Sequence, residues 1–275
     1  MERRRFGAAG PEVPVIGQGT WFMEQARRPD AVAALRRGLD LGMTHIDTAE
    51  LYGSGKAEEI VAEAIDGRRD AVFLVSKVMP ENASRAGTIA ACEKSLKRLK
   101  TDRLDCYLLH WRGRHPLAET IAGFEALVAA GKIRSWGVSN FDDDDLAEAE
   151  ETAGPGRIAC NQVLYHLEER GIEHAVIPWC EAHGVAVVGY SPFGHSRFPE
   201  SPVLGAIADA HQATPRQVAL AFLTRRPSLF AIPKAASAGH VAENAAAGDV
   251  RLSDDEMVRI DRAFPTGRRG SLAML

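Results

Sequence analysis

Short apolar runs alternate with helix-like segments along nearly the whole chain, and this alternation constrains the fold more than any other feature. Eight runs have the length and composition of buried strands; they span residues 43–49, 72–77, 104–110, 133–139, 158–163, 186–191, 229–234 and, more weakly, 245–250. Strands that are apolar almost throughout require burial on both faces, as in parallel sheets. Eight such strands separated by helices predict an α/β fold, a (β/α)8 TIM barrel, rather than an open sheet.

The barrel is expected to form one domain over residues 1–275, because barrels of this kind commonly use roughly 200 to 250 residues as a single unit. Turn residues lie between short apolar pieces at 6–15, which predicts a small β-hairpin before the barrel. The first crossover lacks a Gly-x-Gly-x-x-Gly motif, which argues against a dinucleotide-binding open sheet.

Capping signals predict where several helices begin and end. Asp30 is placed to cap a first helix that Gly42 stops. Capping boxes start at Thr214 and at Ser253. The acidic run at 142–145 is typical of a helix start, where carboxylates meet the positive end of the helix dipole. No histidine or further carboxylate lies at a spacing that would complete a set of metal ligands with this run, so we expect no metal site.

Charge and composition exclude several classes of protein. The net charge is −4 and the isoelectric point is about 6.2, so we expect no nucleic-acid partner. The chain has no apolar run of about 18 residues, and no apolar segment follows its charged start, so we expect neither a membrane span nor a signal peptide. The four cysteines lack metal-ligand spacing, and we interpret them as reduced core residues of a cytoplasmic protein: Cys92, Cys106, Cys160 and Cys180.

Polar side chains close the predicted strands at their carboxyl ends, where barrels build their active sites. They are Asp47, Lys77, His110, Ser139, Asn140, Gln162, Tyr190, Ser191 and Lys234. A single such residue is typical of a strand end meeting water, but so many together favour a functional site. Tyr52 follows Asp47 by five positions, so an acid, a phenol, an ammonium and an imidazole would converge. This set is suited to moving a proton onto a carbonyl oxygen.

An ordered series of segments resembles the aldo-keto reductase family across nearly the whole chain. The matching segments include His-Ile-Asp-Thr-Ala-Glu-Leu-Tyr-Gly at 45–53, and others at 108–111, 133–141, 161–162, 189–193, 231–234 and 243–244. The resemblance implies a catalytic tetrad of Asp47, Tyr52, Lys77 and His110. Lys77 would lower the pKa of Tyr52, the general acid, and Asp47 would hold Lys77 charged. His110 would orient the carbonyl.

Structural roles are the alternatives for the same four residues. Asp47 and Lys77 could form only a buried ion pair that braces the barrel. Tyr52 could be a loop aromatic that packs on the rim, and His110 could be a core histidine.

The resemblance also implies a nicotinamide cofactor, because no side chain can donate hydride. The implied cofactor-binding residues are Ser139, Asn140, Gln162, Tyr190, Ser191, Phe193, Lys234, Ser237, His240, Glu243 and Asn244. Family members that prefer the 2′-phosphorylated cofactor usually have a hydroxyl residue directly after this lysine and an arginine six positions after it. Ala235 and His240 occupy those positions here. Lys234 still supplies one positive charge and Ser237 can replace part of the lost hydroxyl, so we expect NADPH and keep NADH open.

Trp21 and Trp111, with Met23 and Leu51, are expected to line a pocket for a small carbonyl substrate. Segment 193–201 and the tail after Phe264 are short, which predicts a shallow, open pocket.

We expect a monomeric enzyme that reduces aldehydes and ketones to alcohols. The rival readings are a redox-sensing nicotinamide-binding module, similar to potassium-channel β subunits, and an aldolase that uses Lys77 or Lys234 as a Schiff-base lysine.

Overall fold

A computed structural model describes residues 1–194 and 198–275 and begins with the predicted hairpin. Strands β1 (Arg3–Arg5) and β2 (Glu12–Pro14) pair antiparallel. The turn between them carries Phe6, whose ring is buried against the barrel floor. The hairpin therefore closes the end of the barrel at which the strands begin.

Eight parallel strands follow in sequential order and curl into the predicted barrel. They are β3 (Gln18–Gly19), β4 (His45–Asp47), β5 (Phe73–Val78), β6 (Leu104–Leu109), β7 (Ile133–Ser139), β8 (Ile158–Leu164), β9 (Ala186–Tyr190) and β10 (Leu229–Ala231). Parallel bridges from Ile16 to Ala231 and from Gly19 to Lys234 connect the first strand to the last. This seam closes the sheet, so the (β/α)8 prediction is confirmed.

The predicted eighth strand is wrong. Residues 245–250 belong to the end of a helix and to the 3-10 turn Ala247–Asp249. The missing strand is Gln18–Gly19, at the start of the barrel. A polar residue followed by glycine carries no apolar pattern, so only the pairing with Ile46 and Asp47 on β4 identifies this strand.

Ten α-helices in the described residues surround the barrel. They are α1 (Arg28–Asp40), α2 (Lys56–Ala64), α3 (Arg85–Leu99), α4 (Leu117–Ala129), α5 (Asp143–Ala153), α6 (Val176–Ala182), α7 (Pro202–Ala210), α8 (Pro215–Leu223), α9 (Ala238–Ala246) and α10 (Asp254–Ala263). In the part of the chain that the structure describes, none of these helices is long and apolar enough to cross a membrane.

Most capping predictions are confirmed. Both capping boxes form, at Thr214 and at Ser253. Asp142 caps α5 by accepting a hydrogen bond of 2.9 Å from the Asp145 backbone N–H. The Asp30 cap is wrong, because α1 begins earlier and Arg27 is its N-cap. Asp30 instead lies in the first turn, where its charge still faces the positive end of the helix.

Side chains on each strand alternate between the barrel interior and the helix layer, as the pleat requires. On β5, Phe73 and Val75 point inward, so Lys77 does as well. On β4, Ile46 packs outward against the helices, which turns His45 and Asp47 inward. On these two strands the inward residue near the start is aromatic (His45, Phe73) and the one near the end is charged (Asp47, Lys77).

Candidate active site

The Lys77 ammonium is the centre of a buried polar cluster at the carboxyl end of the barrel. Its Nζ donates to Asp47 Oδ2 at 2.6 Å, to the Thr48 carbonyl at 3.0 Å and to the Tyr52 hydroxyl at 3.1 Å. Lys77 is fully buried and Asp47 is 1 % exposed. Three oxygen partners satisfy the three donors of the ammonium, so its charge is compensated without water.

Tyr52 reaches this cluster from a tight loop rather than from a strand. The loop follows β4 and turns through three successive left-handed residues, Gly53, Ser54 and Gly55. Glu50 fixes the loop to the end of β5, because its Oε1 accepts a hydrogen bond of 2.8 Å from the Met79 backbone N–H. The loop that carries the phenol is thus fixed to the strand that carries the ammonium.

His110 follows β6 and completes the predicted group of four. Its ring lies edge-on to the Tyr52 ring, with centroids 5.7 Å apart, and it also contacts Trp111. Its Nδ1 atom is buried and has no hydrogen-bond partner among the described residues. Burial, assisted by the charge of Lys77, holds the pKa of His110 well below its usual value. The imidazole is therefore neutral at neutral pH.

Burial and the Lys77 charge act in opposite directions on the pKa of Tyr52. Burial raises the pKa of Tyr52 to about 12, and the Lys77 charge opposes this shift without reversing it. Burial also disfavours the Lys77 ammonium, but Asp47 and Tyr52 outweigh it and raise the pKa of Lys77. The expected lowering effect of Lys77 is present but burial outweighs it, so the Tyr52 phenol is protonated at neutral pH, beside a charged ammonium.

Ser139, Asn140 and Gln162, which we call the amide wall, form one side of the site. Gln162 Nε2 donates to Asp47 Oδ1 at 2.8 Å, and the Ser139 hydroxyl donates to the Gln162 carbonyl at 2.8 Å. Asn140 donates to the His110 carbonyl at 3.1 Å and accepts from the Tyr190 hydroxyl at 2.9 Å. The wall is thus held rigidly against the charged cluster, and its neutral groups suit an amide ligand.

A cavity of about 250 Å³ opens directly over these groups. It is lined by predicted residues from the charged cluster, the amide wall, the aromatic rim and the loop after β9: Asp47, Tyr52, His110, Ser139, Asn140, Gln162, Trp21, Trp111, Tyr190, Ser191, Phe193 and Lys234. The structure therefore brings together every predicted strand-end residue except Lys77, which is sealed beneath the cavity by its own partners.

The substrate side was predicted only in part. Trp21 and Trp111 line the cavity, but Met23 is buried in the core and Leu51 is exposed outside the cavity, so both are corrections. Sequence reasoning missed Phe22, whose ring stacks on Trp21 at 4.5 Å. The adjacent aromatic pair was the available signal.

The short tail reaches the cavity, contrary to the expected open rim. Leu275 lines it, and the Leu275 backbone N–H donates to the Tyr190 hydroxyl at 3.4 Å. The other predicted covering segment, 193–201, includes residues 195–197, which lie outside the described residues.

The predicted adenosine-end residues lie on α9, beyond the residues that line the cavity. Ser237 caps this helix by accepting a hydrogen bond of 3.4 Å from the His240 backbone N–H. Glu243 accepts a hydrogen bond of 2.6 Å from the Thr214 hydroxyl, and Asn244 is buried. His240 is exposed. These four residues share one helix that begins just after Lys234.

The fold and the site together define a (β/α)8 barrel whose candidate active site is a buried Asp–Lys–Tyr cluster beside a histidine. The chain belongs to the aldo/keto reductase family, whose model matches residues 15–264. It is 48 % identical over 260 residues to methylglyoxal reductase YeaE of Escherichia coli, covering 92 % of each chain. It is 32 % identical over 252 residues to glyoxal reductase of Bacillus subtilis, covering 92 % of this chain and 89 % of the relative.

Solved structures agree with this assignment. An aldo-keto reductase from Klebsiella pneumoniae in complex with NADPH superposes with a TM-score of 0.94 at 48 % identity, over 100 % of both chains. A thermostable aldo-keto reductase in complex with the inhibitor epalrestat has a TM-score of 0.90 at 38 % identity, over 95 % of this chain and 99 % of that one. The predicted family and the predicted NAD(P)H-dependent oxidoreductase class are therefore confirmed.

Proposed function

We propose that this protein reduces small aldehydes and α-dicarbonyls, of the methylglyoxal and glyoxal class, with NADPH as the reductant. The observation that carries the proposal is the Lys77 ammonium, which contacts both Asp47 and the Tyr52 hydroxyl beneath a cavity. The relatives named methylglyoxal reductase and glyoxal reductase support the substrate class.

Tyr52 is the proposed proton donor in carbonyl reduction. Its phenol is protonated at neutral pH, because burial raises its pKa to about 12. When the carbonyl oxygen gains negative charge, the phenol donates its proton to that oxygen. The neighbouring Lys77 ammonium then stabilises the phenolate, and Asp47 keeps the ammonium in place. When an alcohol is oxidised, the same groups carry out the reverse proton transfer.

His110 is the proposed orienting group for the carbonyl. The ring is neutral and borders the cavity next to Tyr52, so it can offer one N–H to the carbonyl oxygen without adding charge. Two donors aimed at one oxygen polarise the carbonyl and stabilise the developing alkoxide.

The residues around the cavity fit a nicotinamide dinucleotide. The amide wall offers neutral donors and acceptors for a carboxamide, and the Tyr190 ring lies beside it for stacking. Ser191 and Phe193 would contact the pyrophosphate, Lys234 a phosphate, and the residues of α9 (Ser237, His240, Glu243 and Asn244) the adenosine end. When bound, the reduced nicotinamide supplies the hydride that no side chain can donate.

The size and lining of the cavity support small substrates. Its volume of about 250 Å³ is shared with the cofactor ring, and its rim is formed by Trp21, Phe22 and Trp111. We further propose that the chain acts as one barrel domain, as a monomer in the cytoplasm. The four free, buried cysteines suit a reducing compartment, and light scattering would test the monomer.

The function is tested by a fluorescence titration with NADPH and NADH, followed by turnover on methylglyoxal, glyoxal, simple aldehydes and bulky ketones. We expect saturable NADPH binding and the highest kcat/KM on the α-dicarbonyls. Tight NADPH binding without turnover on any carbonyl would contradict a reductase. A borohydride-trapped covalent adduct at Lys77 or Lys234 would instead indicate Schiff-base chemistry.

A further inference from the structure

Arg216 is a cation that the reaction scheme above does not use. It lies in the first turn of α8 and is exposed. Its guanidinium carbon lies 5.5 Å from the centroid of the Phe193 ring and 5.4 Å from that of Phe198. Those two rings contact each other edge-on at 5.9 Å. Over residues 1–194 and 198–275, the guanidinium forms no hydrogen bond or ion pair.

The position of Arg216 relates two parts of the proposed cofactor site. On one side, Phe193 lines the central cavity together with Ser191 and Lys234. On the other side, the start of α8 is bonded to α9: the Thr214 hydroxyl donates to Glu243 Oε1 at 2.6 Å, and Gln217 Nε2 donates to the Glu243 carbonyl at 2.9 Å. Arg216 therefore stands between the loop after β9 and the helix proposed for the adenosine end.

Apart from Lys234, the described residues from the end of β10 to the end of α9 offer no strong phosphate ligand. Ala235 directly after Lys234 offers no hydroxyl, and His240 offers a weakly basic, exposed ring. A phosphate monoester carries about −1.5 to −2 charges at neutral pH. A guanidinium binds such a group through two parallel N–H donors, which neither an imidazole nor a single ammonium reproduces.

We propose that Arg216 binds the adenosine 2′-phosphate of NADPH and so determines cofactor preference. The proposal rests on the proposed function, because it assumes a nicotinamide dinucleotide in this cavity. Both phenyl rings lie within cation–π distance of the guanidinium, and its N–H donors form no hydrogen bond with the described residues, so these donors are available for phosphate oxygens. Preorganisation by the rings lowers the entropic cost of fixing a long side chain on binding.

The test is a fluorescence titration of the full-length Arg216→Gln protein with NADPH and with NADH. We expect the dissociation constant for NADPH to rise about tenfold and that for NADH to stay within about twofold, because only NADPH carries the 2′-phosphate. Arg216→Lys should fall between wild type and Arg216→Gln. Arg85→Gln is the matched control: it removes another exposed arginine from the first turn of a helix, α3, and should change neither constant.

Three results would overturn the proposal. An equal loss for both cofactors would mean that Arg216 acts on the pyrophosphate or only on the loop after β9. An unchanged NADPH constant would place the cation away from any phosphate. Equal wild-type affinities for the two cofactors would show that no 2′-phosphate is recognised. Wild-type turnover of methylglyoxal is measured separately, so a protein that discriminates cofactors but lacks turnover would reject the proposed function and keep the role of Arg216.

Discussion

Two buried histidines lie at opposite ends of the same barrel and share nearly every local property. His45 starts β4 and His110 follows β6, and both point into the barrel. Burial lowers the pKa of both, and the charge of Lys77 adds to the shift in each case. Each has at least one ring nitrogen without a hydrogen-bond partner among the described residues.

Their surroundings differ in one respect: a ligand in the cavity can reach His110 but not His45. His45 is enclosed by the Phe6 and Phe73 rings, whose centroids lie 5.7 and 5.5 Å from its own. Gly17 closes its remaining side, since a Cβ there would come within 3.0 Å of the imidazole. His110 instead faces the cavity beside Tyr52. A depressed pKa therefore marks both residues, but only the one that a ligand can reach is a candidate for chemistry.

The largest expected effect lies at the cavity end. Tyr52→Phe removes the proposed proton donor and leaves the ring in place. We expect kcat for methylglyoxal reduction to fall about 10³-fold, because general acid catalysis contributes on that scale. The NADPH dissociation constant should stay the same in a fluorescence titration. Wild-type kcat in this variant would disprove the assignment of Tyr52.

Matched substitutions of the two histidines test the comparison directly. His110→Leu should lower kcat/KM about 10²-fold, because the orienting N–H is lost. His45→Leu should leave kcat/KM within about twofold of wild type, since no substrate reaches the barrel floor. Steady-state kinetics on both purified variants gives the contrast. A comparable loss in both would mean that the floor and the cavity are coupled.

The pH dependence of the free energy of unfolding should report the protonation of His45 at the barrel floor. The pKa of His45 is lowered to about 3 in the folded protein, against about 6.5 when unfolded. The unfolded state binds the extra proton between these values, so stability is present above pH 6.5 and is lost as the pH falls. Urea titrations at pH 7 and pH 5 should show a drop for wild type that exceeds the drop for His45→Leu by about 2 kcal/mol. Equal drops would mean that His45 is hydrated or charged in the fold.

The smallest expected effect is the dependence of kcat/KM on pH, because neither His110 nor Tyr52 titrates near neutral pH. The pKa of His110 is held well below its usual value and that of Tyr52 is raised to about 12. Neither group changes charge between pH 6 and pH 9, so kcat/KM for reduction should vary less than about twofold across that range. A pH–rate profile with an inflection near pH 6.5 would show that His110 is solvated and protonates during turnover.

Near-continuous apolar runs that end in a single charge were enough to place Asp47 and Lys77 at the carboxyl edge of one barrel. Tyr52 was different: only its spacing from Asp47 and the resemblance to a family pointed to it, because it lies on a loop with three left-handed residues and not on a strand. Two errors concern strands. Gln18–Gly19 was missed as a strand because its pairing with β4 and not its apolar pattern makes it one, and 245–250 was taken for a strand although it continues and ends a helix.

The chain by itself determined the layers of this molecule: buried strands, amphipathic helices, two capping boxes and the charges at the strand ends, all of which follow from local pattern. The tertiary structure alone decided which strands meet at the seam, how burial outweighs Lys77 in setting the pKa of Tyr52, and where Arg216 stands. These depend on distances between residues remote in sequence and on the exclusion of water, which no local pattern encodes.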